Sequence, residues 1–273
     1  MTTQRDKAER FLELHHLPDP LHIPNPWDAG SARILQWLGF SALATTSSGF
    51  AATLGRLDGS VTRDEALAHA AAVSAAVTVP VSADLESGFA DSPEGVAETI
   101  RLAVDTGLAG CSIEDATGRD DQPVYDLAKA ADRVAAAAEA ASAGPGRLVL
   151  TARAENYLYG RADLADTILR LQGYQEAGAD VLYAPGLTSI TDIRELVRSV
   201  DRPVNVLALG NGPTVAELAQ AGVARISVGG AFAYAALGAL VEAAAEFRQQ
   251  GTYGFLARAA EGRKAVQAAF PPR

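Results

Sequence analysis

A (β/α)8 barrel is the fold class that this 273-residue chain predicts, on three observations. Apolar runs of strand length recur about eight times, at 21 to 24, 40 to 46, 79 to 85, 109 to 114, 147 to 154, 179 to 184, 203 to 208 and 224 to 228, with helical patterns between them. One junction repeats: Gly39, Gly107, Gly178 and Gly222 each follow a helical stretch and precede an apolar run, as suits the left-handed residue that ends a helix. Two apolar strands run straight into acids, Val79 to Ala83 delivering Asp84 and Glu86, and Ala109 to Ile113 delivering Glu114 and Asp115. Carboxylates are costly inside buried parallel strands, so these acids mark strand ends. A doubly wound sheet is the alternative, disfavoured because no Gly-x-Gly-x-x-Gly follows the first strand.

The remaining elements follow in chain order. Met1 to Arg10 mixes charges of both signs around no apolar stretch, so it is no signal peptide and reads as the start of an extension over about 1–18. Thr62 with Glu65, and Thr214 with Glu217, have capping-box spacing, and Pro93 and Pro213 suit helix starts. Leu164, Ile168 and Leu171 build one apolar helix face that packs outside the strands. Ile226 to Val241 is uncharged but short for a bilayer span and broken by Gly229, Gly230 and Gly238, which predicts strand, turn and buried helix. No linker divides the chain, so 1–273 reads as one domain with a helical tail over about 242–273.

With 48% hydrophobic residues the chain can build a sizeable core, and a net charge of -10 opposes nonspecific binding to nucleic acid or an anionic membrane. A small-molecule partner fits better. The single cysteine, Cys111, excludes an internal disulfide framework and makes a cytoplasmic location the default.

Barrel active sites form at the C-terminal strand ends and the loops that follow. Asp58, Asp84, Glu86 and Glu114 are hard oxygen donors without His or Cys at ligand spacing, which predicts Mg²⁺, or Mn²⁺, rather than zinc. A carboxylate network without metal is the alternative. Arg153 ends an apolar strand and needs an anion, either a substrate carboxylate or an ion pair to Glu155 or Glu114. Thr45, Thr46, Ser47, Ser48 and Gly49 offer hydroxyls and backbone N–H groups to a carboxylate or carbonyl oxygen, though such a segment is also an ordinary polar turn. Asn25, Tyr183, Asn205 and Ser227 complete the rim, and Gly229-Gly230 ranks below it as a phosphate cradle. Lys7, Lys129 and Lys264 all lie off the strands, which disfavours a Schiff base; His15, His16, His22 and His69 suit core or surface roles.

These residues resemble the isocitrate lyase/phosphoenolpyruvate mutase superfamily from about Ile23 to Gly229, through Asn25-Pro26-Trp27-Asp28-Ala29-Gly30-Ser31-Ala32-Arg33, Thr46-Ser47-Ser48-Gly49-Phe50, Ser82-Ala83-Asp84-Leu85-Glu86-Ser87-Gly88-Phe89, Ile113-Glu114-Asp115 and Ala152-Arg153-Ala154-Glu155. The resemblance implies a TIM barrel, Mg²⁺ at the strand ends, 2-oxo acid substrates, and a homodimer or homotetramer that exchanges a C-terminal helix. It implies Asp84 as the direct metal ligand, with Glu86, Glu114 and Asp58 behind coordinated water. It further implies Ser48, Gly49 and Phe50 around the substrate carboxylate and carbonyl, and Arg153 as the anion clamp. The chain departs from the pattern after Glu114, where Asp115 to Tyr125 replaces the Lys-Cys-Gly-His segment of the lyases and does not match the mutase loop either.

The function expected is a Mg²⁺-dependent carbon-carbon lyase or decarboxylase acting on a 2-oxo or 2-hydroxy acid through an enolate. Asp84, Thr46, Asn205 and Arg153 would bind substrate, and Tyr183 or the loop 116 to 125 would supply a proton. Carbon-phosphorus chemistry on phosphonopyruvate, or a catalytically silent barrel that senses a 2-oxo acid, are the alternatives.

Overall fold

The structure, a computed structural model, describes residues 3–143 and 146–270. Eight parallel strands form the sheet: β1 (Leu21–Ile23), β2 (Leu43–Ala44), β3 (Val81–Asp84), β4 (Gly110–Glu114), β5 (Val149–Arg153), β6 (Val181–Tyr183), β7 (Val204–Leu207) and β8 (Arg225–Ser227). Their order, β1-β8-β7-β6-β5-β4-β3-β2, returns the chain to its start, and helices alternate with the strands, giving a (β/α)8 barrel with further C-terminal helices. Each strand falls inside the apolar run that announced it. The second is much shorter than its run because Phe40 to Ala42 bend into the ladder and Thr45 and Thr46 leave it.

No ladder joins β1 to β2, so the barrel closes through other groups. The Ala44 N–H donates to the Pro24 carbonyl at 3.1 Å. Buried Asn25 donates Nδ2 to the Thr45 carbonyl at 3.1 Å while its Oδ1 accepts from the N–H groups of Val228 and Gly229 at 3.0 and 2.9 Å. One amide thus ties β1 to both neighbours. One of these bonds engages the Gly229 N–H, one of the two that a phosphate at Gly229-Gly230 would need.

The capping boxes at Thr62 and Thr214 are present, and Gly39, Gly107, Gly178 and Gly222 all have positive φ. Pro93 opens its helix, whereas Pro213 sits one residue before the cap Thr214. The segment predicted to be a buried helix corrects the sequence reading. Helix Ala231–Ala245 buries only Ala233, and Tyr234, Leu240 and Val241 are more than half exposed, because among the described residues little covers that face. Helix Leu256–Ala269 lies on helix Ala29–Trp37 instead.

The N-terminal helix Gln4–Leu14 plugs the strand-start end. Phe11 and Leu14 pack against Leu21, Ile23, Ala42, Ala109, Val149 and Val181, all but Ile23 at or just before the beginnings of strands. Gly110 permits this approach, since a Cβ there would meet the Val149 carbonyl at 2.7 Å and the Phe11 ring at 2.8 Å. At the end of the plug, His15 Nδ1 donates to the Phe11 carbonyl at 2.8 Å, which leaves Nε2 to accept from Arg225 at 3.2 Å. That pair of bonds fixes the tautomer.

Two predictions concern the plug. Gly110→Ala should destabilise the protein by about 1–3 kcal/mol in denaturant titrations through overpacking, while Gly262→Ala, in open space on a helix, should not destabilise it; equal effects would contradict the close approach. Burial, with Arg225 adding, lowers the His15 imidazole from 6.5 to about 3. The unfolded chain takes up this proton below its ordinary pKa and the folded chain resists it. Stability should therefore fall with decreasing pH across that window by about 1.4 kcal/mol per unit from this group, and His15→Gln should remove that share of the slope. An unchanged slope would show that His15 is not held neutral.

Candidate active site

Asp84, Glu114 and Arg153 are the last residues of β3, β4 and β5, and the strand register sets their side chains on the inner face. Glu114 pairs with Arg153, Arg153 with Tyr183, Tyr183 with Asn205, and Asn205 with Arg225. Residues opposite one another in a ladder share a face, so this row of polar side chains crosses five strands inside the barrel. It starts at the ends of β4, β5 and β6 and finishes at the start of β8, because tilted strands carry a row from rim to floor.

Arg153 is the centre of the rim. Its Nη1 meets Asp84 Oδ1 at 3.0 Å, Nη2 meets Glu114 Oε2 at 3.1 Å and Nε meets Glu155 Oε1 at 2.8 Å, with the guanidinium 5.2 Å from the Tyr183 ring centroid. The rest of the cluster is pinned from behind. Thr45 Oγ1 accepts from the Asp84 N–H at 3.0 Å, Asp84 Oδ2 accepts from the Ser47 N–H at 3.2 Å, and Asp115 Oδ1 accepts from the Glu155 N–H at 2.8 Å. Asp115 is itself buried, held by Arg170 at 2.9 Å and the Tyr174 hydroxyl at 2.6 Å. It belongs to the helix layer, not the rim.

Asp84, Glu114 and Glu155 converge on one guanidinium with Glu86 close by, and the crowding shows in the proton affinities of the three glutamates. Burial pushes Glu86 up to about 7, with the charges of Asp84 and Asp58 adding. Burial likewise raises Glu114 well above the usual carboxylate range, against the pull of Arg153. Glu86 also sits at φ 48°, a left-handed backbone that costs about 1 kcal/mol or more in a non-glycine residue. Among the described residues no three His, Cys, Asp or Glu side chains stand around a common cation position, because Asp84 and Glu114 turn toward Arg153. The donor set still suits a hard dication: it is all oxygen, and its excess negative charge is what such an ion would relieve.

These groups surround a cavity of about 210 Å³ that opens at the strand ends. Thr46, Ser48, Asp58, Asp84, Arg153, Tyr183 and Asn205 all line it, as the sequence reading requires, and Glu114 reaches it through Arg153. Glu86 lines an adjoining crevice. Gly49 and Phe50 are not in the lining of this cavity, and Phe50 borders the adjoining crevice with Glu86. Thr46 caps the short helix Ser47–Thr53, so the Gly49 N–H donates to Thr46 Oγ1 and the Phe50 N–H to the Thr46 carbonyl at 3.0 Å. The Phe50 ring stacks on His69, centroids 3.9 Å apart, facing away. Gly49 matters instead by its size, since a Cβ would meet Thr46 Cγ2 at 2.6 Å.

The loop 116 to 125 is likewise absent from the lining. It forms a small hairpin closed by Ala116 and Val124 and is tied outward, with the Tyr125 hydroxyl on Asp91 and Arg133 over the Tyr125 ring at 4.3 Å. Tyr183 does line the cavity, and burial lifts its phenol to about 12 with Arg153 opposing, so it keeps its proton. Sequence reasoning passed over Arg225, which lines the cavity at its closed end. The signal was there: like Arg153, it is a lone guanidinium on a buried strand.

The family model described as phosphoenolpyruvate phosphomutase matches residues 11–248. A 2-methylisocitrate lyase of Escherichia coli (strain K12) is 30% identical over 218 residues, covering 76% of this chain and 72% of the relative. An uncharacterized protein of Mycobacterium tuberculosis (strain ATCC 25618 / H37Rv) is 36% identical over 221 residues, covering 80% and 81%. Among solved structures, a Burkholderia cenocepacia J2315 protein described only in general terms as a lyase/mutase is 52% identical, covers 98% of this chain and 97% of its own, and superposes with a TM-score of 0.94. The structure of 2,3-dimethylmalate lyase is 27% identical with a TM-score of 0.82, covering 93% and 90%. The chain belongs to the phosphoenolpyruvate phosphomutase family, within the isocitrate lyase/phosphoenolpyruvate mutase superfamily, and is an enzyme of its carbon-carbon lyase class.

Proposed function

We propose that this protein is a Mg²⁺-dependent lyase that breaks a carbon-carbon bond beside the carbonyl of a small 2-oxo or 2-hydroxy dicarboxylic acid. The observation that carries the reading is the convergence of Asp84, Glu114 and Glu155 on Arg153 at the mouth of a 210 Å³ cavity, a volume that suits a metabolite of a few carbons. Asp84 would hold the cation, with Glu86, Glu114 and Asp58 around it. When bound, the ion supplies a Lewis acid that draws charge from the carbonyl oxygen as the bond breaks and an enolate develops.

The chain's own groups do the rest. Ser48 and Thr46 offer hydroxyls to the substrate carboxylate, and Arg153 adds positive charge where negative charge accumulates. Tyr183, protonated and buried against Arg153, would return a proton to the enolate carbon. Its service as donor accounts for a site in which the loop after Glu114 carries no cysteine and turns away.

The assembly is proposed to be a homo-oligomer in the cytoplasm. The bare apolar face of Ala231–Ala245 and the helix Leu256–Ala269 beyond it suit exchange of the tail between copies, with each tail seated on the partner's helix Ala29–Trp37 as it sits here on its own. Among the described residues no helix is long and apolar enough to cross a membrane.

Asp84→Asn should leave the fold intact, weaken Mg²⁺ binding by about tenfold or more in calorimetry and lower turnover of oxaloacetate or larger 2-oxo diacids by about a hundredfold. Unchanged Mg²⁺ affinity would contradict the assignment of Asp84. Ligand binding without turnover of any 2-oxo or 2-hydroxy acid would favour a sensor. Light scattering should give a dimer or tetramer, and deletion after Gly251 should weaken that assembly; a monomer would contradict the exchange.

A further inference from the structure

Arg225 is the one strongly basic group of the barrel interior whose bonds, among the described residues, all go to neutral partners. Its Nε donates to Asn205 Oδ1 at 3.0 Å, one Nη to His15 Nε2 at 3.2 Å and the other to Thr151 Oγ1 at 3.1 Å, and it is only 5% exposed. Arg153, by contrast, already meets three carboxylates. A guanidinium has five N–H donors, so two of Arg225 remain after these three bonds. Burial lowers its pKa to about 10, with the charge of Arg153 opposing protonation as well, yet it stays a cation at neutral pH. A buried charge without a counter-ion costs several kcal/mol, which a bound anion would offset.

The surroundings leave room for one. Ser82 and Ser112 line the same cavity as Arg225, on inner strand positions that barrels usually fill with bulky branched side chains, and Ser112 pairs across the ladder with Thr151, whose hydroxyl accepts from Arg225. Among the described residues neither serine hydroxyl has a hydrogen-bond partner, so both remain free to donate. The cavity is thus electrostatically split. Its mouth is acidic and suits a cation, and its closed end is cationic and suits an anion.

We propose that Arg225, with Ser82 and Ser112, forms an anion subsite at the floor of the barrel that binds one carboxylate of the substrate. Resting on the function proposed above, this makes Arg225 the residue that selects a diacid over a monoacid, one carboxylate reaching the floor while the oxo-acid end stays at the rim. His15 takes a positioning role, because its neutral Nε2 aims the guanidinium upward.

Malonate, a diacid that cannot undergo the reaction, is the probe. Calorimetry with Mg²⁺ present should show one malonate site, about tenfold weaker or more in Arg225→Gln and within about threefold of the parent in Arg225→Lys. The preference for malonate over acetate should collapse in Arg225→Gln alone. A merely structural Arg225 would shift stability and leave that preference intact, which would overturn the subsite, as would a parent protein that does not bind malonate. If Arg225→Gln fails to fold, crystals of the parent protein soaked in bromide decide: an anomalous peak against the Arg225 guanidinium supports the subsite, and its absence there overturns it. Absence of turnover with malonate binding still dependent on Arg225 would sink the proposed reaction and keep the subsite, whereas turnover with no such dependence would do the reverse.

Discussion

The guanidinium of Arg153, buried among Asp84, Glu114 and Glu155, is the interaction on which the rest of this protein depends. It joins the tips of three strands, and among the described residues it is the only cation those carboxylates share. Buried ion pairs are poor sources of stability, because desolvation consumes most of the Coulomb gain, yet removing one partner typically costs about 3–5 kcal/mol. Such a cluster is therefore tuned for function. It holds acids close together with too little positive charge, so a further cation finds a site already short of one.

Around that centre the fold supplies rigidity from behind. Arg170 and Tyr174 fix Asp115, Asp115 fixes the backbone of Glu155, and Glu155 fixes Arg153. On the other side Thr45 and Ser47 hold Asp84 through backbone N–H and hydroxyl groups. At the opposite end Phe11 seals the barrel and His15 holds Arg225, so the helix that plugs the floor is bonded to the row of polar residues that ends at the rim.

Most of the architecture was legible in the sequence because it rests on local rules. Glycines at helix ends, capping boxes at Thr62 and Thr214, and acids that stop buried strands all act within a few residues of themselves. The misplacements came from effects that are not local. Whether Phe50 faces the cavity depends on where a helix begins and on the His69 ring across from it. The exposure of Ala231–Ala245 depends on which distant elements pack over that helix, not on its own composition. Arg225 escaped notice because it starts its strand, and active-site candidates were sought at strand ends; the tilt of the barrel sets it in one row with Arg153, which ends its own. Pattern reading along the chain does not carry that stagger.

Diffraction from crystals grown with Mn²⁺ tests the central claim most directly, since the ion reports its own position by anomalous scattering. One strong peak is expected at the strand ends, bonded to Asp84 with Glu86, Glu114 or Asp58 reached through water, and the Arg153 to Glu155 pair still closed. A cavity mouth with no peak, or an ion bound away from Asp84, would contradict it.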